Sequence, residues 1–408
     1  NPGTTGIVGG DTVALSASRA AYQDENVAWD DVANSPKEMD VYYSGFSTEN
    51  QNYYIINEND TLTGKGTIKP KQIGADDVKA QGTIRKVYDT TKDFAPSGSI
   101  PGTVNGKVIV QGQETTDTDK LVGFDAAQAE LYKNLKVKVK KITYQDANVV
   151  NNNGTGKVDV EVEVTGTGGA ATSHNYAFTG GGTVTKTFNI GAITPANVTV
   201  SFAKVTKEYD GNTNVPQSLV APTVTGQLGS DSVGLVGGYQ AAFESEKVKG
   251  KHGDGQNHVN YSGLALTNAN YQLVNAEGTV ITATTGAGEI KKRKLTDADV
   301  NTAFQIANAT KVYDGTAKVK YGDSDSLTDE NGVRKYVTNQ GAFQKDDGKG
   351  LGNQEIYIGY TIKSAAYQDD ASHPASYVGT GTKTVKYAFK LDTENFDLSA
   401  LTGVAADG

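Results

Sequence analysis

Along much of the chain the apolar positions fall two residues apart. Leu135, Val137 and Val139 alternate with Lys136, Lys138 and Lys140, and Val158, Val160, Val162 and Val164 alternate with Asp159, Glu161 and Glu163. A period of two marks a strand with one face on a core and the other in water. The two segments carry opposite charges on their polar faces, which predicts that they are sheet neighbours. The alternation slips at Lys140-Lys141, where a bulge is expected. Ile356, Ile358, Tyr360 and Ile362 repeat the pattern nearer the end. Helical periodicity is scarce. Asp125 to Leu135, opened by Asp125 as a cap, is the best helix candidate, and Asp76-Asp77-Val78 and Asp297-Ala298-Asp299-Val300 predict short helical turns.

These segments recur in a fixed order. Lys311-Val312-Tyr313-Asp314-Gly315-Thr316 returns as Lys86-Val87-Tyr88-Asp89-Thr90-Thr91 and as Lys207-Glu208-Tyr209-Asp210-Gly211-Asn212. A second phrase follows: Tyr22-Gln23-Asp24, Tyr144-Gln145-Asp146 and Tyr367-Gln368-Asp369, with a weaker relative at Phe243-Glu244-Ser245. A third is an Asn-aromatic pair, at Asn52-Tyr53, Asn175-Tyr176, Asn270-Tyr271 and Asn395-Phe396. Junctions at Ile68-Lys69-Pro70-Lys71, Ile193-Thr194-Pro195-Ala196 and Ile290-Lys291-Lys292-Arg293 divide the chain into units of 1–68, 69–194, 195–289 and 290–408. The first unit lacks its Tyr-Asp phrase and reads as truncated at its N-terminal side. Recurrence of this kind predicts a tandem array of one structural unit. The expected fold is all-β, with small Ig-like sandwich units stacked into an elongated rod. A β-grasp-like unit with one short helix is the alternative.

Composition narrows the function. The 408 residues include 48 Gly and 21 Tyr and no Cys, with a net charge of −9. Glycine and tyrosine at this level suit short strands and tight turns. The acidic balance argues against nucleic-acid binding, which favours basic faces. Without cysteine there are no disulfides, thiolate metal sites or cysteine nucleophiles. No stretch approaches the length of an apolar membrane span.

Taken together, the three phrases resemble the YDG-type repeat of large bacterial surface exoproteins, including filamentous-haemagglutinin-like adhesins. In that family a Lys-Val-Tyr-Asp-Gly-Thr opening precedes a Phe-x-Asp-Lys-Asn-Val-Gly phrase and an Asn-Tyr-x-Leu ending. The present chain departs from it in Thr90, in its Tyr-Gln-Asp phrases and in its longer units. The resemblance implies a secreted, extracellular stalk and adhesive segment on a bacterial cell surface, monomeric and without enzymatic activity, contributing to attachment and biofilm. Its partner would be a host-surface or microbial-surface glycan or protein. The alternatives are a dedicated glycan- or protein-binding module built on exposed tyrosines in the inserts 112–134 and 340–360, and a polysaccharide hydrolase.

Each candidate site has a structural reading beside the functional one. Tyr88-Asp89, Tyr209-Asp210-Gly211 and Tyr313-Asp314-Gly315 are expected to end a strand with the ring on the core, while the Asp holds a turn by accepting backbone N–H groups. Gly211 and Gly315 suit a positive φ. Thr90 at the equivalent place implies that this conformation is dispensable, since a β-branched residue tolerates it badly. Lys86, Lys207 and Lys311, each two residues before the Tyr, are candidate isopeptide donors to a late Asn. The acidic loop with Asp323, Asp325 and Asp329 is the candidate calcium site, although Arg334 stands where an EF-hand has its last glutamate. His252, Asp254 and His258 fall in one polar loop, and Lys291-Lys292-Arg293-Lys294 reads as a linker strand rather than a nucleic-acid patch. No cofactor is expected.

Overall fold

The computed structural model describes residues 4–80, 82–94, 103–104, 107–108, 114–115, 122–166, 174–251, 257–319, 333–346, 348–369, 376 and 383–404. It is all-β, built of many small sheets of two to five strands with a few short helical turns. The chain divides into two compact units, Asn1–Ala196 and Asn197–Gly408.

The principal sheet of the first unit runs Glu114–Thr115, Leu135–Tyr144, Asn153–Gly166, Thr183–Thr194, Ile84–Val87. The alternating segments are antiparallel neighbours, as their complementary faces predict, with Lys138 opposite Glu163 and Lys141 opposite Glu161. The register shifts between Val139 and Lys141, where the alternation slips. Val158, Val160, Val162 and Val164 are buried, as are Leu135, Val137 and Val139. Burying such a side chain contributes roughly 1.5–3 kcal/mol, whereas an exposed charge pair contributes at most about 1 kcal/mol. The apolar face therefore holds this sheet.

In the second unit one sheet runs Gln240–Phe243, Asn257–Ser262, Ala283–Lys291, Val205–Glu208. Leaving aside the short edge strand at 114–115, this is the order of the first unit's sheet. In both, the strand that carries the lysine phrase lies parallel to the last strand, with Lys86 opposite Ile193 and Lys207 opposite Ile290. We call these the opening and closing strands. The opening strand is followed by a turn that bridges back to the second phrase, at Asp93–Thr143 and Asn214–Ala242, and Lys318–Ala366 does the same further on.

The flanking segments keep parts of the same plan. Near the start, Leu15–Tyr22, Met39–Thr48 and Leu62–Gly66 form a three-stranded sheet, and near the end Tyr360–Tyr367 pairs with Val385–Leu391. The ring of the second phrase always faces a valine on the next strand: Tyr22 opposite Val41, Tyr144 opposite Val158, Phe243 opposite Val259 and Tyr367 opposite Val385. Each junction segment pairs with a third-phrase strand. Lys71–Ile73 lies parallel to Tyr176–Phe178, Arg293–Lys294 lies parallel to Phe396–Asp397, and Ala196–Phe202 neighbours Tyr271–Leu273.

The helical turns fall near the predicted places. Residues Ala75–Asp77 form one 3-10 turn, and Asp297–Ala303 is an α-helix whose Thr296 cap accepts from Asp299 N–H while Asp299 bonds back to Thr296. The expected helix at 125–135 is shorter than its pattern. Asp125 caps Ala127 at 3.0 Å, a 3-10 turn leads into Ala129–Tyr132, and the strand has begun by Leu135. The strand's own valine face, buried against the sheet, overrides the alanine-rich propensity.

Candidate functional site

The three lysine phrases fold into the same small cage. In the opening strand Lys86 and Lys207 are held inward by the parallel pairing, while the following Tyr N–H continues that ladder, Tyr88 to Thr194 O at 2.8 Å and Tyr209 to Lys291 O at 2.9 Å. The chain then turns sharply. Asp89 Oδ1 accepts the N–H of Thr91 at 2.9 Å, Asp210 Oδ1 that of Asn212 at 3.2 Å, and Asp314 Oδ1 that of Thr316 at 2.9 Å. The expected turn-holding role of the aspartates is thus what the structure shows.

The lysine is the hub of the turn. Lys86 Nζ donates to Asp89 Oδ1 at 2.7 Å, to Thr91 O at 2.7 Å and to Asp93 O at 2.8 Å. Lys207 Nζ donates to Asp210 Oδ1 at 2.7 Å, to Asn212 O at 2.7 Å and to Asn214 O at 3.0 Å. Lys311 Nζ meets Asp314 Oδ1 at 2.8 Å and Thr316 O at 2.6 Å. An ammonium has three protons and no acceptor, so the first two cages saturate it. Above it lies the ring of the second phrase: Tyr144 at 5.4 Å, Phe243 at 5.4 Å and Tyr367 at 5.7 Å from the Nζ. A ring face in this position attracts a cation by about 0.5–2 kcal/mol. Where the ring is a tyrosine, its hydroxyl donates to the carbonyl two residues before the lysine, Tyr144 to Ile84 O at 2.8 Å and Tyr367 to Ala309 O at 3.0 Å. Burial pushes the Tyr144 phenol well above its ordinary range.

Several expectations change here. Thr90 has φ +70°, beside +76° at Gly211 and +74° at Gly315, so the turn imposes the left-handed conformation even on a β-branched residue. The tyrosines are not equivalent. Tyr88 is buried and Tyr209 packs edge-on against Phe396, but Tyr313 is 57% exposed and its segment is not a strand. The lysines do not face the late asparagines. Asn175 Oδ1 accepts the N–H of Val27 at 2.8 Å, and Asn395 Oδ1 that of Val248 at 3.1 Å. Those bonds seal the loop after a second phrase, which is tightened in turn by Asp24 accepting Asn26 N–H and Asp146 accepting Asn148 N–H. These backbone donors hold both carboxyls below the usual range. Lys86 and Lys207 direct their three ammonium protons to their own turn.

The remaining candidates separate. Asp323, Asp325 and Asp329 lie outside the described residues, as do His252 and Asp254. His258 Nδ1 lies 3.0 Å from Glu244 Oε1. Among the described residues no group of three or more His, Asp or Glu could hold a metal ion. Arg293 is buried and its Nε donates to Tyr209 O, which gives the basic junction a structural task. In the inserts, Tyr132 is buried with its hydroxyl on Asp77 at 2.9 Å, whereas Tyr357 is exposed beside Glu355. No described helix is long and apolar enough to cross a membrane.

Residues 194–288 contain the cage of Lys207, its opening strand Val205–Glu208 and the first part of its closing strand Ala283–Lys291. This segment matches the YDG domain. No curated protein and no solved structure matches the chain. The YDG match corrects the resemblance drawn from the repeated phrases. YDG (SRA-YDG) domains are known as readers of DNA methylation, in eukaryotic SRA proteins, and not as bacterial adhesin repeats. The descriptions adhesin, secreted exoprotein, cell adhesion and biofilm find no support in the match. The Tyr-Asp-Gly signature encodes a lysine cage, which specifies a turn and not a partner.

Proposed function

We propose that the chain is a non-catalytic structural segment, a tandem series of small β units that spaces what lies at its ends and meets a glycan or protein partner through residues that differ between repeats. The single observation that carries this reading is the cage itself. Its lysine is turned inward onto its own turn in each copy, and in the first two copies that turn takes all three of its protons. Groups that are fully hydrogen-bonded internally stabilise a fold and leave nothing for a substrate.

Solution scattering on the full chain tests the spacer reading, which expects an elongated particle; a compact one would sink it. Binding to a panel of glycans, matrix proteins, and methylated and unmethylated DNA duplexes tests the partner. Saturable, methylation-dependent DNA binding would replace this proposal with the role for which YDG domains are known, against the expectation set by a net charge of −9.

A further inference from the structure

Asn175 and Asn395 each pass over the nearer second phrase, at Tyr144-Gln145-Asp146 and Tyr367-Gln368-Asp369, and hold the loop after an earlier one. Asn175 Oδ1 accepts Val27 N–H at 2.8 Å, 148 residues back, and its Nδ2 donates to Asn26 Oδ1 at 2.7 Å. Asn395 Oδ1 accepts Val248 N–H at 3.1 Å, 147 residues back, and its Nδ2 donates to Asp392 Oδ2 at 3.0 Å. A junction segment engages the main chain of both. Asn175 O accepts Lys71 N–H at 2.8 Å, and Asn395 O accepts Arg293 N–H at 3.0 Å. One residue therefore ties a junction through its backbone and a distant loop through its side chain. The two instances lie in different compact units, so the arrangement forms twice.

The loop is shaped to present its N–H. Asp24 Oδ1 accepts Asn26 N–H at 2.8 Å, and Ser245 Oγ accepts Lys247 N–H at 3.2 Å, so a local turn fixes the residue before each clasped valine. Beside the shared bond sits a pair that differs. The rings of His174 and Trp29 stack, with centroids 4.4 Å apart and planes 3° from parallel. At the second place Glu394 Oε1 lies 2.7 Å from Lys249 Nζ. In each, the residue preceding the asparagine meets one just past the valine.

We propose that the asparagine of the third phrase is a docking residue for the copy before it, and that the residue preceding the asparagine selects the loop it accepts. His174 takes a loop that carries an aromatic ring, and Glu394 takes one that carries a lysine. The common bond supplies the hold, because a part-buried N–H left without an acceptor is costly. The flanking pair supplies discrimination, by stacking in one joint and by opposite charge in the other, and a like charge placed there repels. The joint is independent of any glycan or protein that the segment meets.

Hydrogen exchange of the full chain, read at the Val27 and Val248 amides, tests this. Asn395→Ala is expected to speed exchange at Val248 about tenfold and leave Val27 unchanged, and Asn175→Ala to do the reverse. Glu394→Lys, at a side chain 59% exposed, is expected to speed Val248 about two- to fivefold, and adding Lys249→Glu to restore it. That charge swap decides if Asn395→Ala unfolds its surroundings. His174→Glu is expected to loosen Val27, and Ala28→Lys, which builds the ion pair of the other joint, to hold it again. Trp29 is the chain's one tryptophan, so its emission, shifted to the red as the stack opens, reads the first joint separately. Unchanged exchange at Val248 in Glu394→Lys, or no restoration by Lys249→Glu, overturns the selection. Unchanged exchange in both alanine variants overturns the docking role.

Discussion

Lys207 Nζ lies 2.7 Å from Asp210 Oδ1, and neither side chain keeps more than 5% of its surface in water. The corresponding pairs are more open, with Asp89 at 35% and Asp314 at 20%. Removing one partner of a buried pair costs about 3–5 kcal/mol, because the remaining charge is left uncompensated. Lys207→Met is therefore expected to destabilise its repeat by about that amount, and Lys207→Met with Asp210→Asn by less than the single change. Lys311→Met, in the more open cage, should cost less than Lys207→Met. Urea unfolding of the full-length variants measures all three. Equal costs for Lys207→Met and Lys311→Met would show that burial does not set the strength of the cage.

Thr90 occupies a conformation that its two sister turns give to glycine. A side chain in the left-handed region costs roughly 1–2 kcal/mol, and glycine returns about 0.5–1 kcal/mol of that through the greater freedom of its unfolded chain. Thr90→Gly is expected to stabilise the first unit by about 0.5–1 kcal/mol, read as a raised thermal midpoint. Gly211→Thr should do the reverse in the second unit. A neutral or destabilising Thr90→Gly would mean that the threonine side chain makes a compensating contact.

A Cβ on Gly66, Gly191 or Gly288 would press on the ring of the second phrase, Tyr22, Tyr144 or Phe243, but the three differ in what can give way. Phe243 is buried and Tyr22 is half-exposed. Gly288→Ala pushes a methyl into a ring that cannot move, an overpacking cost of about 1–3 kcal/mol. Gly66→Ala meets a ring that can swing outward, although the buried Val41 Cγ2 also lies 2.8 Å from the added methyl, and should cost less than Gly288→Ala. Comparing the two midpoints for chemical unfolding checks this, and a larger loss at Gly66 would be inconsistent with the exposure of Tyr22.

Alkaline pH probes the buried phenols. Burial, and then its hydrogen bond to Asp77, raise Tyr132 to about 12 from an ordinary 10.0; burial, then Tyr336 and Tyr367, raise Tyr387 to about 12. A pKa raised by folding means that the neutral form is favoured in the native state. The stability this represents is complete below pH 10 and is lost as pH climbs from 10 towards 12. The thermal midpoint is expected to fall across that window, and to fall less steeply in Tyr132→Phe. A flat midpoint there would contradict the shifts.

The strand pairs were legible in the sequence because period-two alternation reports burial directly, and the charges on Lys138 and Glu163 reported partner and register as well. The slip at Lys140-Lys141 was legible for the same reason. The aspartate turns could be read because an Asx-turn is local. The cage could not, since it joins a lysine to a ring some tens of residues away, Lys86 to Tyr144 and Lys207 to Phe243. The joint recurrence of both phrases was its only trace. Thr90 misled for a different reason: intrinsic preference is worth about 1–2 kcal/mol, and a turn fixed by an ammonium and an aspartate outweighs it. Tyr132 looked like an exposed tyrosine of an insert because nothing local announces its hydrogen bond to Asp77.

The opening and closing strands run parallel and side by side, which has a mechanical consequence. A repeat pulled through its two ends loads those hydrogen bonds lengthwise, so that the four paired positions from Val205 to Glu208 must yield together and cannot peel in turn. The antiparallel hairpin Gln240–Phe243 with Asn257–Ser262, pulled from its open end, would unzip one pair at a time. Force spectroscopy should find the higher rupture force for end-to-end traction. With Lys207 pinned to the turn that follows, the strand bearing the load is also the one anchored by an ion pair, and tension along the chain falls where the repeat is strongest.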